Sequence, residues 1–126
     1  KNVIFLGNVN HDTLRKIYNI ADVSIVTSRK EAFGLVAVEA LACSVPVIST
    51  NVGGLKEIIN DKVGIKIEVD DYHLLAHHIT NILDGKIRFD REYIGKYAKE
   101  NYCEDKMIDK LIETYNNSIN KKSLHK

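Results

Sequence analysis

Two carboxylates, Glu31 and Glu39, are separated by seven residues within SRKEAFGLVAVEALACSVPVIST, residues 28–50. Between Glu31 and Lys56, Glu39 is the only residue with a formal charge. A carboxylate among Leu35, Val36, Ala42 and Cys43 is costly to bury unless something donates hydrogen bonds to it, which a ligand rich in hydroxyls can do. The plainer alternative for Glu39 is a solvated face of an amphipathic helix. Gly34 falls where a loop becomes a helix, so the amides of Gly34, Leu35 and Val36 are expected to point outward at the positive end of the helix dipole. Such a helix start accommodates anions, phosphate above all. The carboxylates then flank the amides, ~10 Å apart by the helical rise. Hydroxyl acceptor, anion cradle, hydroxyl acceptor is the order that ribose, diphosphate and hexose present in a nucleotide sugar. A glycosidase pair has to face one glycosidic bond at closer range. Neither GxGxxG nor GxxxxGK[ST] occurs, so dinucleotide and P-loop binding are not indicated.

These residues need elements to hold them. Short β-branched runs at Asn2–Leu6, Val23–Thr27, Val45–Ser49 and Val63–Glu68 read as buried strands. Helical patterns lie between them at Asp12–Ala21 and Gly34–Cys43, with a shorter turn at Gly54–Asn60; three more helical segments follow the fourth strand. That alternation predicts an α/β fold, a three-layer Rossmann-like parallel sheet flanked by helices. The last three helices are expected to cover the sheet edge and one face. Strands of a parallel sheet end at a common rim where ligands bind, here the loops 7–11, 28–34 and 50–54. Gly7, Gly34, Gly53 and Gly54 recur there, permitting tight turns or close approach of a ligand.

The chain has 126 residues, 28% of them charged, and a net charge of +1. This length suits one domain, and the balance gives no electrostatic case for nucleic acid or an acidic membrane. The basic residues Lys121, Lys122 and Lys126 read as a solvated tail. Cys43 and Cys103 lack metal-type spacing and fit a reducing compartment. No apolar run reaches membrane-spanning length. A chain that begins with Lys and enters a strand almost at once reads as a piece of something longer.

Taken together, Ser28, Glu31, Phe33, Gly34, Glu39, Ala40, Ala42, Pro46 and Val47, followed by Gly53, Gly54 and Glu57, resemble the motif of glycosyltransferase family 4 (group 1 glycosyltransferases) in the C-terminal, donor-binding domain of a GT-B fold. The resemblance implies that Glu31 is the catalytic candidate, contacting hydroxyls of the donor sugar. The amides of Phe33, Gly34 and Leu35 would hold sugar or diphosphate, Glu39 the ribose, and Asn8 and Val9 would lie near the base. It implies a retaining enzyme of cytoplasmic location, needing no metal or other cofactor, with a nucleotide-diphosphate sugar, UDP-linked, as donor. Membrane contact of the parent protein is not legible. Two positions depart from the family pattern: Ala32 and Ser44 stand where Gly is usual. The resemblance also implies that residues 1–126 form the distal part of the donor domain, without the N-terminal acceptor domain or the first donor-domain strand, whose Arg and Lys neutralise diphosphate. Such a fragment is expected to be inactive alone.

Other readings remain: a non-catalytic nucleotide-sugar module, or a GT-B epimerase acting on a nucleotide sugar. A flavodoxin-like signalling domain would cluster acidic residues at the strand ends. His73 and His77 share helical spacing without a third ligand; His11 reads as part of a turn or cap around Asn10–Asp12. Asp70 and Asp71 read as N-terminal charges of a helix.

Overall fold

The computed structural model describes residues 2–123, the side chains of 110, 111, 114, 115 and 118–123 excepted, so the reading of the C-terminal lysines lies outside what is described. Helix α1 (His11–Ile20) precedes β1 (Ser24–Val26), α2 (Leu35–Ala42), β2 (Val47–Thr50), α3 (Leu55–Ile58) and β3 (Gly64–Ile67). Helices α4 (Tyr72–Leu83), α5 (Arg91–Tyr102) and α6 (Glu104–Ser123) follow. The strands form one parallel sheet in the order β1-β2-β3. Ser24 is in register with Val47, and Val47 with Gly64.

Three helix starts are capped by side chains. Asn10, Asp71 and Asp90 cap α1, α4 and α5 through their side chains, accepting from the amides of Thr13, Leu74 and Tyr93. Helix α2 instead ends on a Schellman motif. The Ser44 N–H donates to the Leu41 carbonyl (2.9 Å) and the Val45 N–H to that of Ala40 (3.0 Å). Ser44 carries the left-handed backbone this motif requires, at φ 63°.

The core lies between the sheet and α2, where Val26, Val47, Ala37, Ala40 and Leu41 are buried. Helix α5 packs on α2 with Ile94 and Ala98 buried, and α6 packs on α5. The expectation that the last three helices cover sheet edge and face is therefore corrected: α5 covers a helix. The Tyr97 hydroxyl donates to the Ile58 carbonyl (2.8 Å), tying α5 to α3. Arg91 reaches the carbonyls of Ala21 and Asp22 and fastens α5 to the end of α1.

On the sheet's other face Ile25, Ile48 and Ile65 stand in one row. Ile48 is buried, whereas Ile25 on the outer strand is 43% exposed. The strand expected over Asn2–Leu6 is not formed. Those residues run without regular structure and Phe5 is 94% exposed. A parallel strand has no ladder of its own and forms only against a neighbour, and the described pairing leaves the outer edge of β1 unused.

Candidate functional site

The loops after β1 and β2 meet at the carboxyl ends of the strands and are stitched together through the backbone carbonyls of Ser28 and Glu31. The Thr50 hydroxyl donates to the Ser28 carbonyl (2.5 Å), and the Gly54 amide to the Glu31 carbonyl (3.2 Å). Gly53 sits at φ +47° with its α-carbon against the Glu31 carbonyl oxygen, so any side chain there would overlap that oxygen. A Cβ on Gly54 would lie 2.7 Å from the Ala32 carbonyl oxygen. The close approach these glycines permit is thus made by a neighbouring loop.

Held this way, Glu31 folds back on its own loop. One carboxylate oxygen accepts from the Gly34 amide (3.2 Å) and the other from the Ser28 hydroxyl (3.3 Å). Gly34 adopts φ 74°, and a Cβ there would stand 2.9 Å from side-chain atoms of Leu55 and Ile58. This corrects the expectation of three free amides at the start of α2, because Glu31 takes the one on Gly34. A carboxylate so placed repels phosphate but keeps lone pairs for hydroxyls. The loop therefore presents a hydroxyl acceptor supported on two sides.

Glu39 is exposed, which corrects the expectation that it is buried. Helix α2 rests on the core through Ala37, Val38, Ala40 and Leu41, which turns Leu35, Val36 and Glu39 outward. Beside Glu39 a groove of about 190 Å³ opens between α1 and α2, reached by His11, Arg15, Tyr18 and Cys43. Burial first, then the charges of Glu39 and Cys43, hold the Tyr18 phenol above its ordinary pKa. Arg15 and Tyr18 were not singled out from sequence. The signal was available, since His11, Leu14, Arg15 and Tyr18 fall on one helical stripe.

Phe33 is half-buried and lines a cleft of about 400 Å³ with Ala32, Gly53, Gly54, Glu57, Tyr102 and Met107. Leu35, 54% exposed, faces Met107 and Ile108 of α6 across a smaller apolar cleft. Asn8 and Val9 are exposed in the segment before α1, Asn8 at a bend, and His11 and Arg15 line the groove near Glu39. The structure thus gathers Glu31, Phe33 and Gly34 at one rim and sets Glu39 in a separate groove. Among the described residues no three His, Cys, Asp or Glu side chains are placed to hold a metal ion. His77 instead contacts the Asn81 amide (3.0 Å). No helix among them is long and apolar enough to cross a membrane.

The fold is shared with known proteins. The model of the family "Glycosyl transferases group 1" matches residues 1–101. An uncharacterized glycosyltransferase of Methanocaldococcus jannaschii is 40% identical over 119 residues, 90% of this chain and 30% of its own length. The N-acetyl-alpha-D-glucosaminyl L-malate synthase of Bacillus anthracis is 34% identical over 90% of this chain and 29% of its own. Among solved structures, the sucrose-phosphate synthase of Thermosynechococcus elongatus superposes with a TM-score of 0.64 at 38% identity, covering 77% of this chain and 24% of that one. HepE of Anabaena, determined in complex with UDP, gives a TM-score of 0.68 at 23% identity over 81% and 29%, a likeness of fold. The chain spans about 30% of the length of the first two relatives. The chain belongs to the group 1 glycosyltransferases, and its sheet and flanking helices are a Rossmann-like part of a GT-B fold.

Proposed function

We propose that the chain is the distal part of the donor-binding domain of a retaining glycosyltransferase, using a nucleotide-diphosphate hexose, UDP-linked, as donor. The observation that carries this reading is the Glu31 carboxylate, oriented by the Gly34 amide and the Ser28 hydroxyl at the rim of the sheet. In this reading Glu31 accepts hydrogen bonds from the donor sugar and Glu39 from the ribose, while Phe33 and the amide of Leu35 border the diphosphate. Transfer then proceeds by front-side displacement, in which the donor phosphate helps deprotonate the acceptor hydroxyl. The protein's share is to orient both substrates and stabilise the charge developing on phosphate. A second lobe of the whole enzyme brings the acceptor, so this chain alone binds donor without turning it over. The relatives' names support transfer of a glycosyl group, and the sugar, base and stereochemistry belong to the proposal.

Ligand-observed NMR of the folded chain with UDP, GDP and ADP, then with UDP-hexoses, tests it. Saturation of ribose and hexose protons with UDP-linked ligands is the expected result. A folded chain that saturates none of them overturns the reading.

A further inference from the structure

The loop that carries Glu31 is held on a third side by a contact outside the motif. Arg29, two residues before Glu31, forks onto Asp70 in the β3–α4 turn. Its two terminal nitrogens donate to the two carboxylate oxygens at 2.8 and 2.6 Å. Asp70 also accepts from the Tyr72 hydroxyl at 2.9 Å and carries a left-handed backbone at φ 66°, a conformation uncommon outside glycine. The turn is therefore shaped to aim one carboxylate at the guanidinium. The pair is largely exposed, with side chains 69% and 47% accessible. Exposed pairs add little to global stability, so stability alone does not account for this geometry.

What the pair does is local. Thr50 holds the Ser28 carbonyl, Gly54 holds the Glu31 carbonyl, and Arg29 lies between those two anchor points. Without an anchor at residue 29 the chain between them can rotate, carrying with it the Ser28 hydroxyl and the Glu31 carboxylate that it orients. We propose that Arg29 and Asp70 act as positioning residues, a clamp that fixes the Glu31 carboxylate for the donor sugar. The role in sugar binding rests on the function proposed above; the clamping of the loop does not. A planar fork is required, so Lys at position 29 keeps the charge and loses the clamp.

The test uses Asp70→Asn, which tolerates the left-handed backbone, and Arg29→Lys, with hydrogen exchange of the chain followed by NMR. In both variants the Gly34 and Gly54 amides are expected to exchange roughly two- to fivefold faster, the range set by exposed ion pairs. Amides of the β2–β3 ladder keep their rates. Unchanged exchange at Gly34 and Gly54 overturns the clamp. Acceleration spread through the ladder overturns it as well, because it marks a general stabiliser. A second arm compares UDP-glucose with UDP: Asp70→Asn is expected to weaken the former and leave the latter unchanged. Equal ratios in wild type and variant overturn the role in sugar binding. If the wild type binds neither, the proposed function fails and exchange alone decides the clamp.

Discussion

The α-carbon of Gly53 rests against the backbone carbonyl oxygen of Glu31, so the loop bearing the candidate carboxylate is shaped by a residue 22 positions away with no side chain. Gly54 completes the contact by donating to the same oxygen at 3.2 Å.

Gly53→Ala tests that dependence. The new methyl group would overlap the Glu31 carbonyl and would sit at φ +47°, so the loops have to separate. A loss of at least about 2 kcal/mol is expected, combining left-handed strain with the displaced contact. Urea unfolding measures it, and the Gly34 amide resonance should shift with the loop. An unchanged midpoint would show that the two loops are not in rigid contact.

Ser44→Gly is expected to stabilise. Ser44 holds the left-handed position of the Schellman motif at φ 63°, where glycine has no Cβ to strain. The gain should be about 1 kcal/mol, read from the urea midpoint at unchanged slope. Gly95 supplies a coupled check, because a Cβ there would lie 2.5 Å from the Ser44 hydroxyl oxygen. Gly95→Ala should therefore cost less in the Ser44→Gly background than in the wild type. Additive effects would place the two residues out of contact.

Tyr97 gives the fold an alkaline limit. Burial is the largest cause raising its phenol above the ordinary value of about 10, with neighbouring Tyr102 and Tyr93 adding to it. A phenol whose pKa is higher folded than unfolded contributes stability that is fully present below the unfolded value and is lost as pH rises toward the folded one. Tyr18 and Tyr72 are raised as well and act with the same sign. Urea midpoints measured from about pH 8 to about pH 11 should fall for the wild type and fall less steeply for Tyr97→Phe. At neutral pH that variant should lose about 1 kcal/mol, the net worth of its bond to the Ile58 carbonyl. Parallel curves for the two proteins would remove Tyr97 from the alkaline transition.

Much of this arrangement was legible in the sequence because it is local. The β-branched runs before Thr27 and Thr50, the asparagine before α1 and the glycine before α2 each act within a few residues. Contacts made over distance were not legible. Arg29 and Asp70 are 41 residues apart and both exposed, so no periodicity joins them. Asn2–Leu6 has the composition of a strand, but ladder formation depends on a neighbour that composition does not reveal. Glu39 was misplaced for a different reason. Uncharged neighbours suggested burial, yet helix α2 turns Leu35 and Val36 outward with it and buries the residues between. Hydrophobic residues are often exposed, so an apolar setting alone is a poor guide to burial.

Glu39→Ala separates binding from folding. Because Glu39 is exposed on α2, its removal should leave stability within about 0.5 kcal/mol of the wild type. In the proposed function the same carboxylate accepts hydrogen bonds from ribose, and losing a charged acceptor should weaken UDP roughly tenfold or more. Ribose saturation by ligand-observed NMR and the urea midpoint can be read on one sample. Glu31→Gln should show the complementary pattern, weakening UDP-hexose while leaving UDP alone nearly unaffected, because Glu31 faces the sugar side of the rim in that reading. If Glu39→Ala binds UDP as tightly as the wild type, the groove between α1 and α2 is not the nucleoside site, whatever Glu31 contacts.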